Sequence, residues 1–184
     1  MQEPKNRLIH ILKRDYKWHV IYVKSKHEKK IHQFLEKNNI ISFLPLEKQH
    51  KYWADRRKWI EVPLFPSYIF VKVSSKEYFK VFEHSSVKRY VCFEGKPVII
   101  PEDQIISIRA IIHSRIDYSI YNCHFQTNER VIITSGLLKG CNGEVLRQAG
   151  KNKLLLRLDD IGYSLVVNIS RELIESADKQ HKYS

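Results

Sequence analysis

Hydrophobic positions in the first half of the chain change period several times, and each change predicts an element. WHVIYV at 18–23 alternates bulky residues and reads as a strand. Ser25 with Glu28 three residues on matches a capping box, opening a helix to about Asn38 with Ile31, Phe34 and Leu35 as its apolar stripe. ISFLPL at 41–46 predicts a second strand. The polar, basic stretch 47–61 predicts a protruding hairpin or its loop. PLFPSYIFVKV at 63–73 predicts a buried strand entered through two prolines. Ser74-Ser75 predict the start of a helix carrying Tyr78, Val81 and Phe82, and VKRYVCF at 87–93 another strand. Pro101 suits a first helical turn, and Ile105, Ile108 and Ile112 give a stripe behind it.

From about Ser114 to Gln126 the pattern weakens, which predicts a linker. Short β-rich runs follow, RVIITS, EVLRQ, KLLLRL and SLVVNI, punctuated by Gly136, Gly140 and Gly143. The fold class is therefore α+β. An N-terminal α/β sandwich covers 18–113 after an extension at 1–17. The linker at 114–126 leads to a small all-β, SH3-like barrel at 127–176 and a tail at 177–184.

Charge narrows the choice of partner. Lys and Arg total 32 against 20 acids, a net charge of +12, which favours a polyanion, nucleic acid ahead of membrane. Three cysteines without paired spacing suit reduced thiols in a cytoplasm, and scattered histidines predict no metal site. The polar start and the shortness of every apolar run predict neither signal peptide nor membrane span. No Walker loop, GxSxG or HExxH appears, so no enzyme activity and no cofactor is expected.

Two segments carry a resemblance. Val131–Val145 runs from an apolar strand through a glycine turn, with Gly140-x-x-Gly143, into another strand. It resembles the KOW motif, and Asn142-Gly143 is itself a natural hairpin turn. PLFPSYIFV at 63–71 is similar to the FPGY-type segment of the NusG N-terminal domain. The strand from Trp18, the basic helix and LPL at 44–46 match that domain's opening in order. Together they identify the chain as resembling the NusG family over residues 18 to about 176. Ser67 stands where housekeeping members carry glycine. That departure, with VKRYVCFEGKPVIIPEDQI, is more similar to specialised UpxY- and RfaH-like paralogues, which act on selected operons such as those for polysaccharides.

The resemblance implies a transcription elongation and antitermination factor. Its docking patch for the clamp helices of the largest RNA polymerase subunit would comprise Tyr22, Phe65, Pro66 and Tyr68. Contact with non-template DNA would fall to Lys24, Lys26, His27, Lys30 and Lys37. Arg56, Arg57 and Lys58, flanked by Trp53 and Trp59, form a further candidate for nucleic acid; the two Trp could equally lock the hairpin. Ile161 and Leu165 lie where the family's barrel meets ribosomal protein NusE or Rho, although core packing is the better expectation for either alone. A housekeeping NusG and a ribosome-associated KOW protein are the alternatives.

Overall fold

The computed structural model describes residues 16–53, 56–114, 116–122, 130–136, 138–148, 151–158, 161–168 and 174–176. By contacts the chain divides into two compact units, Met1–Ile100 and Pro101–Ser184.

The first unit is built on a four-stranded antiparallel sheet. Its strands are β1 (Lys17–Val23), β2 (Ile41–Phe43), β5 (Tyr68–Val73) and β6 (Val87–Tyr90), in the order β2-β5-β1-β6. Helix α1 (Glu28–Lys37) covers one face. Ile31 and Leu35, four residues apart, meet Ile21, Val23, Ile69, Val71 and Val73 in one buried cluster. The helix ends in a Schellman arrangement. Asn39 turns to positive φ, its N–H reaches the Glu36 carbonyl, and the Ile40 N–H reaches that of Leu35. Ile40 and Leu35 both lie in the core, which fixes the entry into β2.

β3 (Leu46–Trp53) and β4 (Arg56–Pro63) pair along their whole length as the expected hairpin. The segment expected to be one strand over 63–73 is broken. A turn at Leu64–Ser67 separates β4 from β5, because Pro66 and a positive-φ Ser67 cannot continue a ladder. Instead of a regular helix after Ser74 there are turns and one 3₁₀ turn at Lys80–Glu83. The Ser74 N–H and hydroxyl both donate to the Glu77 carboxylate, while the Glu77 N–H goes to the Ser74 carbonyl, so only the carboxylate half of a capping box forms. Burial pushes the Glu77 carboxyl up, but these bonds, the Tyr16 hydroxyl and nearby Lys80 hold it below the usual range. The run 87–93 divides into β6 and β7 (Cys92–Phe93), which pairs with β8 (Lys96–Pro97).

A polar cluster is buried beside this core. His19 donates through Nδ1 to the Val98 carbonyl at 2.7 Å and meets Tyr78 and Tyr90 edge-on. Burial holds its pKa below the ordinary histidine value, against the pull of the Val98 bond and with help from Lys17.

The second unit opens with α2 (Glu102–His113), which buries Ile105, Ser107, Ile108 and Ile111. Ile111 takes the inner position expected of Ile112. Six antiparallel strands follow: β9 (Tyr118–Tyr121), β10 (Arg130–Ile133), β11 (Asn142–Gln148), β12 (Lys151–Leu158), β13 (Tyr163–Asn168) and β14 (Ile174–Ser176). They order as β14-β10-β11-β12-β13-β9. Four residues of the stretch expected as linker, 118–121, are thus a strand, paired with β13. Its pattern was too short to show an apolar face, and partnering with β13 supplies what local sequence does not. Within this unit Asn142 donates to Asp103 at 2.9 Å, Gln104 donates to the Arg157 carbonyl, and Arg157 Nε sits 3.0 Å from both Glu144 carboxylate oxygens.

The glycine turn forms at Gly136–Gly140. The Gly140 N–H reaches the Ile133 carbonyl, and Gly140 has φ +85°, a value unfavourable for other residues. Asn142-Gly143 is not the hairpin turn. It lies inside β11, where a Cβ on Gly143 would stand 2.8 Å from the Leu155 carbonyl oxygen. Close approach of backbones, not positive φ, explains that glycine.

Candidate docking and nucleic-acid surfaces

Neighbouring strands bring the aromatic candidates together. Tyr22 of β1 lies opposite Tyr68 of β5 on one side and Arg89 of β6 on the other. Period two puts all three side chains on the sheet face opposite α1. The Tyr22 and Tyr68 rings meet edge-on at 5.5 Å, and the Arg89 guanidinium sits 5.3 Å from the centre of the Tyr22 ring. Both tyrosines are half-buried and Pro66 is exposed.

Phe65 does not belong to this surface. It is 1% exposed and packs edge-on against Phe70 at 6.1 Å. Pro66 restricts its backbone, and packing against Phe70 holds the ring inward. The Tyr68 N–H returns to the Phe65 carbonyl at 3.2 Å, so Phe65–Tyr68 is a tight turn with Pro66 second and Ser67 third. Ser67 has φ +68°, as the third position of a type II turn demands.

Ser67 is tied down from a distance. Its N–H donates to the Glu28 carboxylate at 2.9 Å, and Glu28 is buried. Its carbonyl accepts from the Val23 N–H at 2.9 Å. This corrects the capping box at Ser25. Glu28 is the first residue of α1, His27 is the N-cap without a side-chain capping bond, and the Glu28 carboxylate serves the turn instead. Left-handed backbone costs a non-glycine residue roughly 1–2 kcal/mol. Ser67→Gly should therefore stabilise the unit by about 1 kcal/mol, read as a rise in Tm with the turn unchanged. A fall in Tm would mean that the serine side chain contributes more than the strain removes.

The basic candidates divide. Lys30 and Lys37, two turns apart, share one exposed face of α1. Lys24 and Lys26 are exposed but precede the helix, Lys26 at φ +65°. His27 is half-buried and its Nδ1 is 2.9 Å from the Ser86 hydroxyl, a packing position more than a free contact. Lys58 is exposed on β4. The side chains of Trp53, Arg56 and Arg57 lie outside the described residues. Trp59, in contrast, is 63% exposed, with His50 edge-on at 4.2 Å from the opposite strand.

Phe93 and Ile99 are residues that the sequence pattern did not single out. They are exposed large apolar side chains, 67% and 51%, flanking the β7–β8 turn. VKRYVCF read as one strand hid Phe93; Glu94-Gly95 at its end was the available turn signal.

In the second unit Leu165 is 0% and Ile161 7% exposed. Leu165 lies between Leu156 and Ile120 in the sheet register. Both are core residues and offer no surface to NusE or Rho. Gly136 and Gly140 have the positive φ that the turn requires. Among the described residues no group of three His, Cys, Asp or Glu is arranged to hold a metal ion, and no helix is long and apolar enough to cross a membrane.

Comparison with known proteins adds three findings. The family described as "Transcription termination factor nusG" matches residues 16–109, just over half of the chain. The transcription termination/antitermination protein NusG of Chlamydia pneumoniae is 24% identical over 176 residues, covering 84% of this chain and 96% of that protein. A solved structure described as "Domain interaction in Thermotoga maritima NusG" is 16% identical with a TM-score of 0.47, covering 89% of this chain and 98% of that one.

Proposed function

Since the chain belongs to the NusG family of transcription termination and antitermination factors, we propose that it binds RNA polymerase through the Tyr22–Pro66–Tyr68 surface and suppresses pausing and termination in selected operons. The observation that carries this is the half-buried tyrosine pair beside an exposed proline, backed by the buried Phe65. Tyrosines with one edge in a sheet and one in water are common interface anchors. The partner surface is the pair of clamp helices on the largest polymerase subunit. The exposed face bearing Lys30 and Lys37, with Lys24 and Lys26 ahead of it, attracts non-template DNA through its phosphates.

Specialisation to polysaccharide operons rests on Ser67 at the turn position where glycine would be unstrained. Transcription in vitro with purified polymerase tests the reading. On a template carrying the leader of a polysaccharide operon from the same genome, the protein should raise readthrough of a downstream terminator. On an unrelated leader it should do so much less. Equal readthrough on both would favour a housekeeping role, and no effect with no polymerase binding would remove the function.

A further inference from the structure

The hairpin and the start of α1 enclose a groove of about 870 Å³. Lys26, Glu28 and Lys29 line it from the helix side, and Lys48, Trp59 and Glu61 from the hairpin. The hairpin register explains the grouping. Lys48 pairs with Glu61, and His50 with Trp59, so the four side chains share one face of the ribbon. Lys29 Nζ reaches across to Glu61 at 3.7 Å, with both side chains about half exposed.

The charge is unbalanced. Glu28 is buried and accepts the Ser67 N–H, so its carboxylate is held at the floor of the turn while it lines the groove. Three lysines stand against two glutamates, the buried Glu28 and the half-exposed Glu61, so one positive charge is left over. Beside them stands a broad indole, held by an edge contact from His50 and still open to solvent. Cations around an open aromatic face fit a polyanion with flat apolar units, since phosphates meet the ammonium groups while a base stacks. An acidic peptide would use the lysines and gain little from the indole.

We propose that this groove binds a short single-stranded nucleic-acid segment, one base stacking on Trp59 and the adjoining phosphates drawn to Lys26, Lys29 and Lys48. The site shares Lys26 with the surface proposed for non-template DNA but includes neither Lys30 nor Lys37, and it rests on the reading that the basic surface meets nucleic acid. Glu61 acts as a competitor for Lys29. A phosphate entering the groove displaces a surface ion pair that is itself worth little.

The test is fluorescence anisotropy of the full-length protein with labelled dT12 and rU12 at several salt concentrations. Trp59→Ala should weaken binding by about tenfold, and Trp59→Phe should keep most of it. Lys29→Gln with Lys48→Gln should lower the salt slope by about 1–2. Glu61→Gln should tighten binding. The two oligonucleotides distinguish DNA from RNA as the preferred source of the same chemistry. Thermal melts should be unchanged for Trp59→Ala, whose side chain lies mostly in water.

If Trp59→Ala binds as wild type while Lys30→Gln with Lys37→Gln abolishes binding, the groove assignment falls and the helix-face reading stands. If the wild-type protein binds neither oligonucleotide, both fall. If a polyglutamate peptide displaces dT12 and Trp59→Ala leaves both ligands unaffected, the site is one for acidic peptide and the proposal is overturned.

Discussion

Phe65→Ala should destabilise the N-terminal unit by about 3–5 kcal/mol, the usual cost of emptying a buried phenylalanine site. The side chain is almost wholly enclosed and packs against Phe70, itself buried. The neighbourhood has little freedom to collapse into the void. Pro66 fixes one side of the turn, and the Ser67 N–H is bonded to a buried carboxylate. The loss should appear as a large fall in Tm, and polymerase binding should decline only in proportion to the unfolded fraction. Phe65→Leu, which keeps most of the apolar volume, should recover much of the stability. A truncation that melts like wild type yet fails to bind polymerase would restore Phe65 to the interface.

The contrast between Phe65 and its neighbours marks what the sequence could convey. Local pattern located β1, α1 and β5 because each has a periodicity of its own, such as Ile31 and Leu35 on α1, and a polar, basic run marked the hairpin. Pro66 marked a stiff strand entrance but not the turn that forms there, and Ser67 marked a departure from glycine at a position that proves to have φ +68°. What the pattern could not supply was direction. Rigidity at Phe65 is compatible with an aromatic presented outward or locked inward, and only the packing against Phe70 decides. Glu28 illustrates the same limit. Its spacing from Ser25 suits a capping box, but a partner 39 residues away at Ser67 takes the carboxylate. The Lys29–Glu61 approach is likewise non-local, so the groove was invisible while Trp59 was weighed only with Trp53, Arg56, Arg57 and Lys58. In the second unit, β13 is buried at four successive positions, Ser164 to Val167, so period two offered no outward face at Leu165.

Tyr68→Ala should leave the melt close to wild type and weaken polymerase binding by about 2 kcal/mol or more, roughly a thirtyfold rise in Kd. Tyr68 sits at the first position of β5, paired with Tyr22, where the sheet face passes from core to solvent. Its ring is supported edge-on by Tyr22, whose own ring carries Arg89. That support means little side-chain freedom remains to be lost on docking, which favours an anchor role. Pro66 is exposed two residues earlier, and its fixed φ holds the turn in place beside the ring. Truncation removes the contact and the prop on Tyr22 together, so Tyr22→Ala should be less than additive with it. Tyr68→Phe separates ring from hydroxyl: retained binding would assign the energy to the buried ring area, and a loss comparable to alanine would assign it to a hydrogen bond at the wet edge. Pull-down of polymerase by the tagged variants, with Tm measured on the same preparations, reads all of these. Undiminished binding by Tyr68→Ala at wild-type stability would remove this surface from the polymerase interface.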